Sequence, residues 1–555
     1  MKMHLAPPGM NKNKTTMTDT AALDEAHIGH INGALGTIAH GDTAARPGLS
    51  LKMKTLLAII GPGLIVMAGD NDAGAFGTYS QAGQNYGTHL LWTLLLLAPV
   101  LYVNQEMVLR LGAVSGVGHA RLILERFGKF WGAFSVIDLF ILNALTIVTE
   151  FIGISLAISY LGLPKVPTVI VAALAMIGAV STGSFRRFER LCLALVAFSL
   201  LVIPIFLVIH PPIGQVARDT LVPGLPHGAP LSTVMLLIIA IVGTTVAPWQ
   251  LFFQQSYVID KRITPRWINY ERVDLVIGIV IVIVGGIAIM AMSAAAFGGH
   301  VGFGHFTDAG DTATGLAHYA SHTVGDLFAI ALIDAAIIGA AAVGLATAYA
   351  TSDVLNLKHS LHRPVHQAKG FYACYAALIG LAAALVLMPH VPLGLLTMGV
   401  QVLAGVLLPS ASVFLLLLCN DKAVLGPWVN GKKLNMFTGA IVGILVLLSV
   451  ILTASVLFPN ITGGQIEGVL LGGVGVGVGV ALYLVVQARR NRDQVTVDDV
   501  LAETPSRAAW RMPALSRLER PVMSRQRKVG LITLRGYLLI AFVLVIVKIV
   551  EVAVG

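Results

Sequence analysis

Carboxylates are scarce inside the apolar runs of this chain, and they are its most informative residues. The first apolar run reads GPGLIVMAGDNDAGAFGTYSQAG (61–83) and sets Asp70, Asn71, Asp72 and Gly74 near its middle. The sixth reads IVGTTVAPWQLFFQQS (241–256) and sets Thr244, Thr245, Pro248 and Gln250 near its middle. An Asp at the centre of a membrane helix costs about 2.5–3.5 kcal/mol on insertion scales. Gly and Pro there weaken or remove backbone hydrogen bonds. Such sequence survives only where unwound backbone lines a cavity, so helix breaks are expected at Gly74 and Pro248. Freed carbonyls and a carboxylate in a low-dielectric cavity attract a cation. Glu150, in the middle of the third run, is a second carboxylate candidate. Gln250 is a polar ligand or water-holder, and Thr245 offers a hydroxyl or a freed carbonyl. Asp70 either widens the anionic field or caps the broken half-helix. In the second run Glu106 is a further candidate, although Arg110 at i+4 would neutralise it. Asp138 and Asp334 read as packing partners.

The elements that must position these groups follow from composition. Of 555 residues, 56% are hydrophobic and 12% charged, with a mean hydropathy of +0.82. Soluble proteins carry roughly 25% charged residues, which excludes a soluble enzyme. The reading is an all-α polytopic membrane protein. Apolar runs fall at 55–83, 88–112, 133–161, 166–184, 191–210, 231–259, 273–297, 326–354, 370–389, 393–419, 435–458, 467–488 and 532–553, giving about 12–13 transmembrane helices. Residues 1–53 read as a mobile, polar cytoplasmic tail without a signal peptide. Residues 54–420 read as a ten-helix core in two halves (about 54–210 and 231–420). Two additional helices (434–488), a charged cytoplasmic segment (489–531) and a terminal helix (532–555) follow. The first and sixth runs hold matching positions in the two halves, and paired interrupted helices point to inverted repeats around a midplane site.

Loops after even-numbered runs carry sixteen Lys and Arg, whereas the opposite loops carry only Lys165 and Arg218. This asymmetry places the N-terminus inside, and the expected location is the plasma (bacterial inner) membrane. The same distribution assigns the net charge of +9 to membrane topology rather than to nucleic-acid binding. The loop 298–325 gathers His300, His305, Asp308, Asp311, His318 and His322, but their spacings match no compact ligand set. Cys192, Cys374 and Cys419 are scattered and form no framework. No GxSxG, HExxH, Walker A or kinase motif occurs, so neither an enzyme nor an ATP-driven pump is expected. No cofactor is expected either.

These residues resemble the NRAMP family of divalent-metal transporters, which has the LeuT-like fold of 5+5 inverted repeats with helices one and six broken. GPG at 61–63 is separated by eight residues from Asp72-Ala73-Gly74-Ala75, the position of the family's DPGN, and the run closes on Gln81-Ala82-Gly83. The family's sixth-helix MPH followed by Asn reads Ala247-Pro248-Trp249-Gln250 here. Gln105 with Arg110–Gly112, and Glu150 with Ile152-Gly153, extend the likeness, and Gln401 aligns loosely with a polar family residue. The resemblance implies a metal-ion substrate and a site built around Asp72, Ala75, Ala247 and Gln250. The departures resemble the family's magnesium-transporting branch. The family's metal-binding Asn is Ala75, its Met is Ala247, its sixth-helix His is Trp249, and the Asp preceding its third-helix Glu is Ile147.

A thioether prefers soft metals, and Ala247 removes that preference. Two alanines also widen the cavity, which suits Mg²⁺, an ion that keeps several waters. Ile147 and Trp249 carry no protons, so uptake without proton coupling is expected, with Mn²⁺ as a second substrate. The competing readings are a proton-coupled Mn²⁺/Fe²⁺ importer and an amino-acid transporter of the same fold. In the latter, Asp72 would repel the substrate carboxylate.

Overall fold

The computed structural model describes residues 24–226, 228–388, 393–457, 462–490 and 507–519, with isolated positions at 531, 532, 536, 539 and 543. Within these, every one of the first twelve apolar runs is helical. The thirteenth lies outside the described residues apart from four isolated positions, and so does most of 489–531.

The first span is built from three pieces. Helix α1 (Leu49–Ile59) bends by 55° at Ile60-Gly61 into α2 (Pro62–Ala68). Backbone regularity is lost over Gly69–Asp72, and α3 (Ala73–Tyr86) completes the crossing. The second span is α4 (Leu91–Ser115), followed by the short α5 (His119–Phe127). The third is α6 (Lys129–Tyr160), the fourth α7 (Lys165–Val180). The fifth is divided into α8 (Phe185–Ser199) and α9 (Val202–Ile209), and α10 (Ile213–Leu221) leads on to the sixth. The sixth is divided into α11 (Leu231–Thr245) and α12 (Pro248–Asp260). Then come α13 (Ile268–Phe297), the loop helix α14 (Ala309–Tyr319), α15 (His322–Leu355), α16 (Lys369–Val386) and α17 (Leu393–Cys419). After the four-residue α18 (Lys422–Leu425), α19 (Lys432–Leu457) and α20 (Gly463–Arg490) form a pair.

Among the described residues nine helices are long and apolar enough to cross a membrane, ten with the bent first pair. This is the LeuT-like architecture. Helices α6 and α15, third and eighth in the count, pack along each other, while α13 covers α2, α3 and α4. Small residues allow these approaches. A Cβ on Gly243 of α11 would meet the Gln401 carbonyl of α17 at 2.0 Å, and one on Gly153 of α6 would meet the Ala73 Cβ at 2.4 Å.

The N-terminal stretch corrects one expectation. From residue 24 onward it is folded against the bundle rather than mobile. A two-stranded antiparallel hairpin pairs β1 (Ile31–Asn32) with β2 (Thr37–Ile38) in the register Ile31↔Ile38. The Ala34 amide donates to Glu189 Oε2 at 2.6 Å. Arg186 and Arg190 donate to the Gly33 and Ala34 carbonyls at 2.9 and 3.0 Å, and Arg363 pairs with Asp24 at 2.9 Å. Arg126 pairs with Asp421 at 2.7 Å. Such contacts gather the basic loops at one end of the bundle.

Candidate functional site

The two breaks face each other. Both form where the sequence withdraws backbone bonding. Ala68-Gly69 ends α2, and Pro248 occupies the first position of α12, where its missing N–H is harmless. At the first break Asp72 is the N-cap of α3, its Oδ1 accepting from the Ala75 amide at 2.8 Å. That capping role had been open to Asp70. Instead, Asp70 accepts a short hydrogen bond from the Gln250 amide across the gap. Gln250 in turn accepts from Gln105 Nε2 at 2.8 Å and reaches the Thr245 carbonyl at 3.3 Å. Thr245 Oγ1 donates to the Ile241 carbonyl at 2.6 Å and lies 2.7 Å from the Tyr79 hydroxyl. Glu150 Oε2 accepts from the Ala73 amide at 3.0 Å, and its carboxyl contacts that of Asp72. The structure therefore brings Asp70, Asp72, Ala75, Gln105, Glu150, Thr245, Ala247, Gln250 and Gln401 to one buried locus.

Two expectations are corrected. Glu106 is not at this locus. Its carboxylate is held by Arg110 at 3.1 Å and Arg272 at 2.6 Å, and Arg110 also bonds the Asn430 side chain and the Trp428 carbonyl. The i+4 arginine and a second one from α13 consume the charge. Gly74 is not the break, because the break spans Gly69–Asp72 and Gly74 lies in the first turn of α3. Its bare Cα instead admits the Gln401 amide, whose nitrogen sits 1.9 Å from where a Cβ would stand.

Several buried polar atoms around the breaks have no partner among the described protein atoms: Asp70 Oδ2, Asn71 Oδ1, Gln105 Oε1, Glu150 Oε1, Thr244 Oγ1 and Gln401 Nε2. Buried polar groups are normally satisfied, so these atoms, joined by Trp249 Nε1 at the second break, offer partners for water, and the oxygens among them for a cation. Among the described residues no three His, Cys, Asp or Glu converge as a metal-holding cluster, in the His-containing loop 298–325 included. There Asp308 instead caps α14 through the Gly310 and Asp311 amides.

Sequence reasoning missed Tyr79 and Gly339. A Cβ on Gly339 would stand 2.8 Å from the Asp72 Cβ and 2.9 Å from the Glu150 carboxyl carbon, so α15 forms the wall behind the acidic pair. The small-residue stretch 335–348 was its signal. Tyr79 had none beyond its seven-residue spacing from Asp72. A cleft lined by Ala73, Thr78, Gly153, Phe306, Asp308 and Met398 approaches the locus from the end opposite the basic loops. Toward the basic end the way is filled by a row of aromatic rings, with Trp249, Phe253, Tyr257 and Phe185 in sequence at 6.2, 5.0 and 4.8 Å.

A helical bundle whose first and sixth spans break opposite each other, with carboxylates and orphaned oxygens between, is the LeuT-like class of integral membrane protein. Within that class the chain belongs to the Nramp family (natural resistance-associated macrophage protein-like), whose pattern matches residues 63–455. The divalent metal cation transporter MntH of Ralstonia nicotianae is 30% identical over 410 residues, covering 71% of this chain and 89% of that protein. MntH of Burkholderia ambifaria is 30% identical over 303 residues, covering 52% and 67%. A crystal structure of a mutant manganese transporter of Eremococcus coleocola shares the fold, with a TM-score of 0.61 at 20% identity over 83% of this chain and 98% of that one.

Proposed function

We propose that the chain is a secondary transporter that imports divalent cations by alternating access. Its substrate is Mg²⁺ with much of its water retained, and Mn²⁺ is a second substrate. The carrying observation is the lining of the breaks: Asp70, Asp72 and Glu150 supply charge, the orphaned oxygens supply sites for water, and positions 75 and 247 supply only methyl groups. Asp72 provides most of the attraction, and Gln250, Gln105, Thr245 and Gln401 hold water around the ion. The names of the MntH relatives support metal cations as the substrate class. The departures at 75, 247, 249 and 147 support the magnesium-transporting branch.

The gathered basic loops support an N-terminus in the cytoplasm of a bacterial inner-membrane protein, with the cleft at Phe306 and Asp308 opening outward. Ile147 and Trp249 interrupt any carboxylate–imidazole relay, so the membrane potential drives uptake. A divalent ion moving inward gains about 4.6 kcal/mol per 100 mV, twice the single-charge figure.

The test is uptake into liposomes with a pH dye inside. Mg²⁺ influx that competes with Mn²⁺ and leaves the interior pH unchanged is expected. One observation favours a second reading, proton-coupled Mn²⁺/Fe²⁺ import: the carboxyls of Asp72 and Glu150 touch and so could share a proton. Acidification in step with Mn²⁺ influx, indifferent to excess Mg²⁺, would establish that reading and reject the first.

A further inference from the structure

Far from the breaks, the basic end holds a half-open cavity of about 360 Å³. Three separate parts of the chain build it: the N-terminal hairpin region, the loop after α12 and residues 508–511. Arg262, Arg266 and Arg511 line it together with His40, Asp42 and Trp267. Among the described residues none of these three arginines is ion-paired. Arg262 donates to the Ala26 carbonyl at 2.8 and 2.9 Å and to the His30 carbonyl at 3.2 Å. Arg266 donates to the Ala44 carbonyl at 2.8 Å, and its buried Nε has no partner. Arg511, exposed at the rim, donates to the Ala508 and Trp510 carbonyls at 3.2 and 2.9 Å. The one carboxylate in the lining, Asp42, is taken by Arg46.

The backbone reinforces the arrangement. Helix α12 ends in a left-handed residue, the position Gly or Asn usually fills, yet Arg262 stands there with φ 66°. A side chain at that conformation is disfavoured, and here it aims a guanidinium at the cavity. Gly29 clears its path, since a Cβ there would meet Arg262 Nη1 at 2.8 Å. Burial disfavours the Arg262 cation and lowers its pKa, a penalty that a bound anion offsets. Trp267 is flanked by the guanidiniums of Arg46 and Arg266 at 5.2 and 5.1 Å from its ring centroid, which holds both beside the ring. Planar forks with free donors match phosphate oxygens, and the volume is that of a small-molecule pocket.

We infer that this cavity is a phosphate-binding site, formed jointly by the N-terminal hairpin region, the loop after α12 and the 508–511 segment. Its ligand is a phosphate-bearing anion, either soluble or a lipid headgroup. Occupancy would tie the N-terminal hairpin region and the 508–511 segment to the loop that follows the broken sixth span.

Full-length protein in detergent, free of divalent ions, is titrated with pyrophosphate and, separately, reconstituted into phosphatidylcholine nanodiscs with or without phosphatidylglycerol. Saturable pyrophosphate binding is expected, at least tenfold weaker in R266Q/R511Q and unchanged in R187Q, an exposed arginine elsewhere. R511Q alone, altering only the rim, weakens binding without the folding risk of Arg266. If pyrophosphate does not bind but phosphatidylglycerol raises the melting temperature of the wild type and not of R511Q, the ligand is a headgroup. Binding of pyrophosphate to R266Q/R511Q at wild-type strength, or the absence of both effects in the wild type, overturns the inference.

Discussion

Asp72 serves two masters. It caps α3 through the Ala75 amide and, in the function proposed above, supplies charge to the ion, and the two duties are separable. Asn is as good an N-cap as Asp, so Asp72→Asn should leave folding intact and abolish metal uptake. Asp72→Ala should cost about 1 kcal/mol of stability in addition. Comparing the melting temperature and liposome uptake of the two variants checks this; an Asn variant that still transports would remove Asp72 from the ion path. Glu106 is the reverse case. Its carboxylate neutralises buried Arg110, and breaking a buried pair costs about 3–5 kcal/mol. Glu106→Gln should therefore lower stability markedly while uptake per folded molecule stays within twofold. Loss of uptake at unchanged stability would return Glu106 to the site. Arg110 at i+4 marked Glu106 as a charge open to neutralisation, but the sequence could not show the second arginine that completes the pairing, Arg272, contributed by α13 from 166 residues away.

At the scale of elements, α15 is a wall rather than a spectator. Gly339→Ala should displace the Asp72 and Glu150 side chains and cut uptake at least tenfold. Gly380→Ala on α16, where a Cβ meets nothing within 4 Å, should change little; equal effects from the two would deny α15 this role. Loops carry their own chemistry. His359, between α15 and α16, pairs with Asp353 at 3.2 Å. Burial opposes its charge, but the carboxylate outweighs burial and raises its pKa to about 9. The stabilisation this gives is complete below the usual histidine range and fades as pH climbs through about 9. Thermal unfolding between pH 6 and 10 should show that decline, and His359→Gln should flatten it. The helical runs themselves were legible because hydropathy and length dictate them. The kink at Gly61 and the division of the fifth span were not, since short-range packing decides where an apolar stretch bends.

For the whole molecule, the sequence carried the fold and most of the residues that meet at the two breaks, because charges and prolines inside apolar runs have few physical explanations. It did not carry the folding of residues 24–48, whose polar composition gives no periodic signal and whose order comes from arginines on distant loops. One further device follows from the way α2 begins. Asp274 of α13 accepts hydrogen bonds from the amides of Gly63, Gly61 and Leu64 at 2.7, 3.2 and 3.4 Å. Lys261 holds the carbonyls of Ile59 and Ile60 at 2.6 and 2.8 Å while pairing with Glu189. The short N-terminal half of the first span, α2, is thus moored at its tip to α8, α12 and α13. It cannot swing alone: either those three helices travel with it, or each turnover must cast off these moorings and tie them again, and the toll would then appear in the speed of the cycle rather than in the grip on the ion.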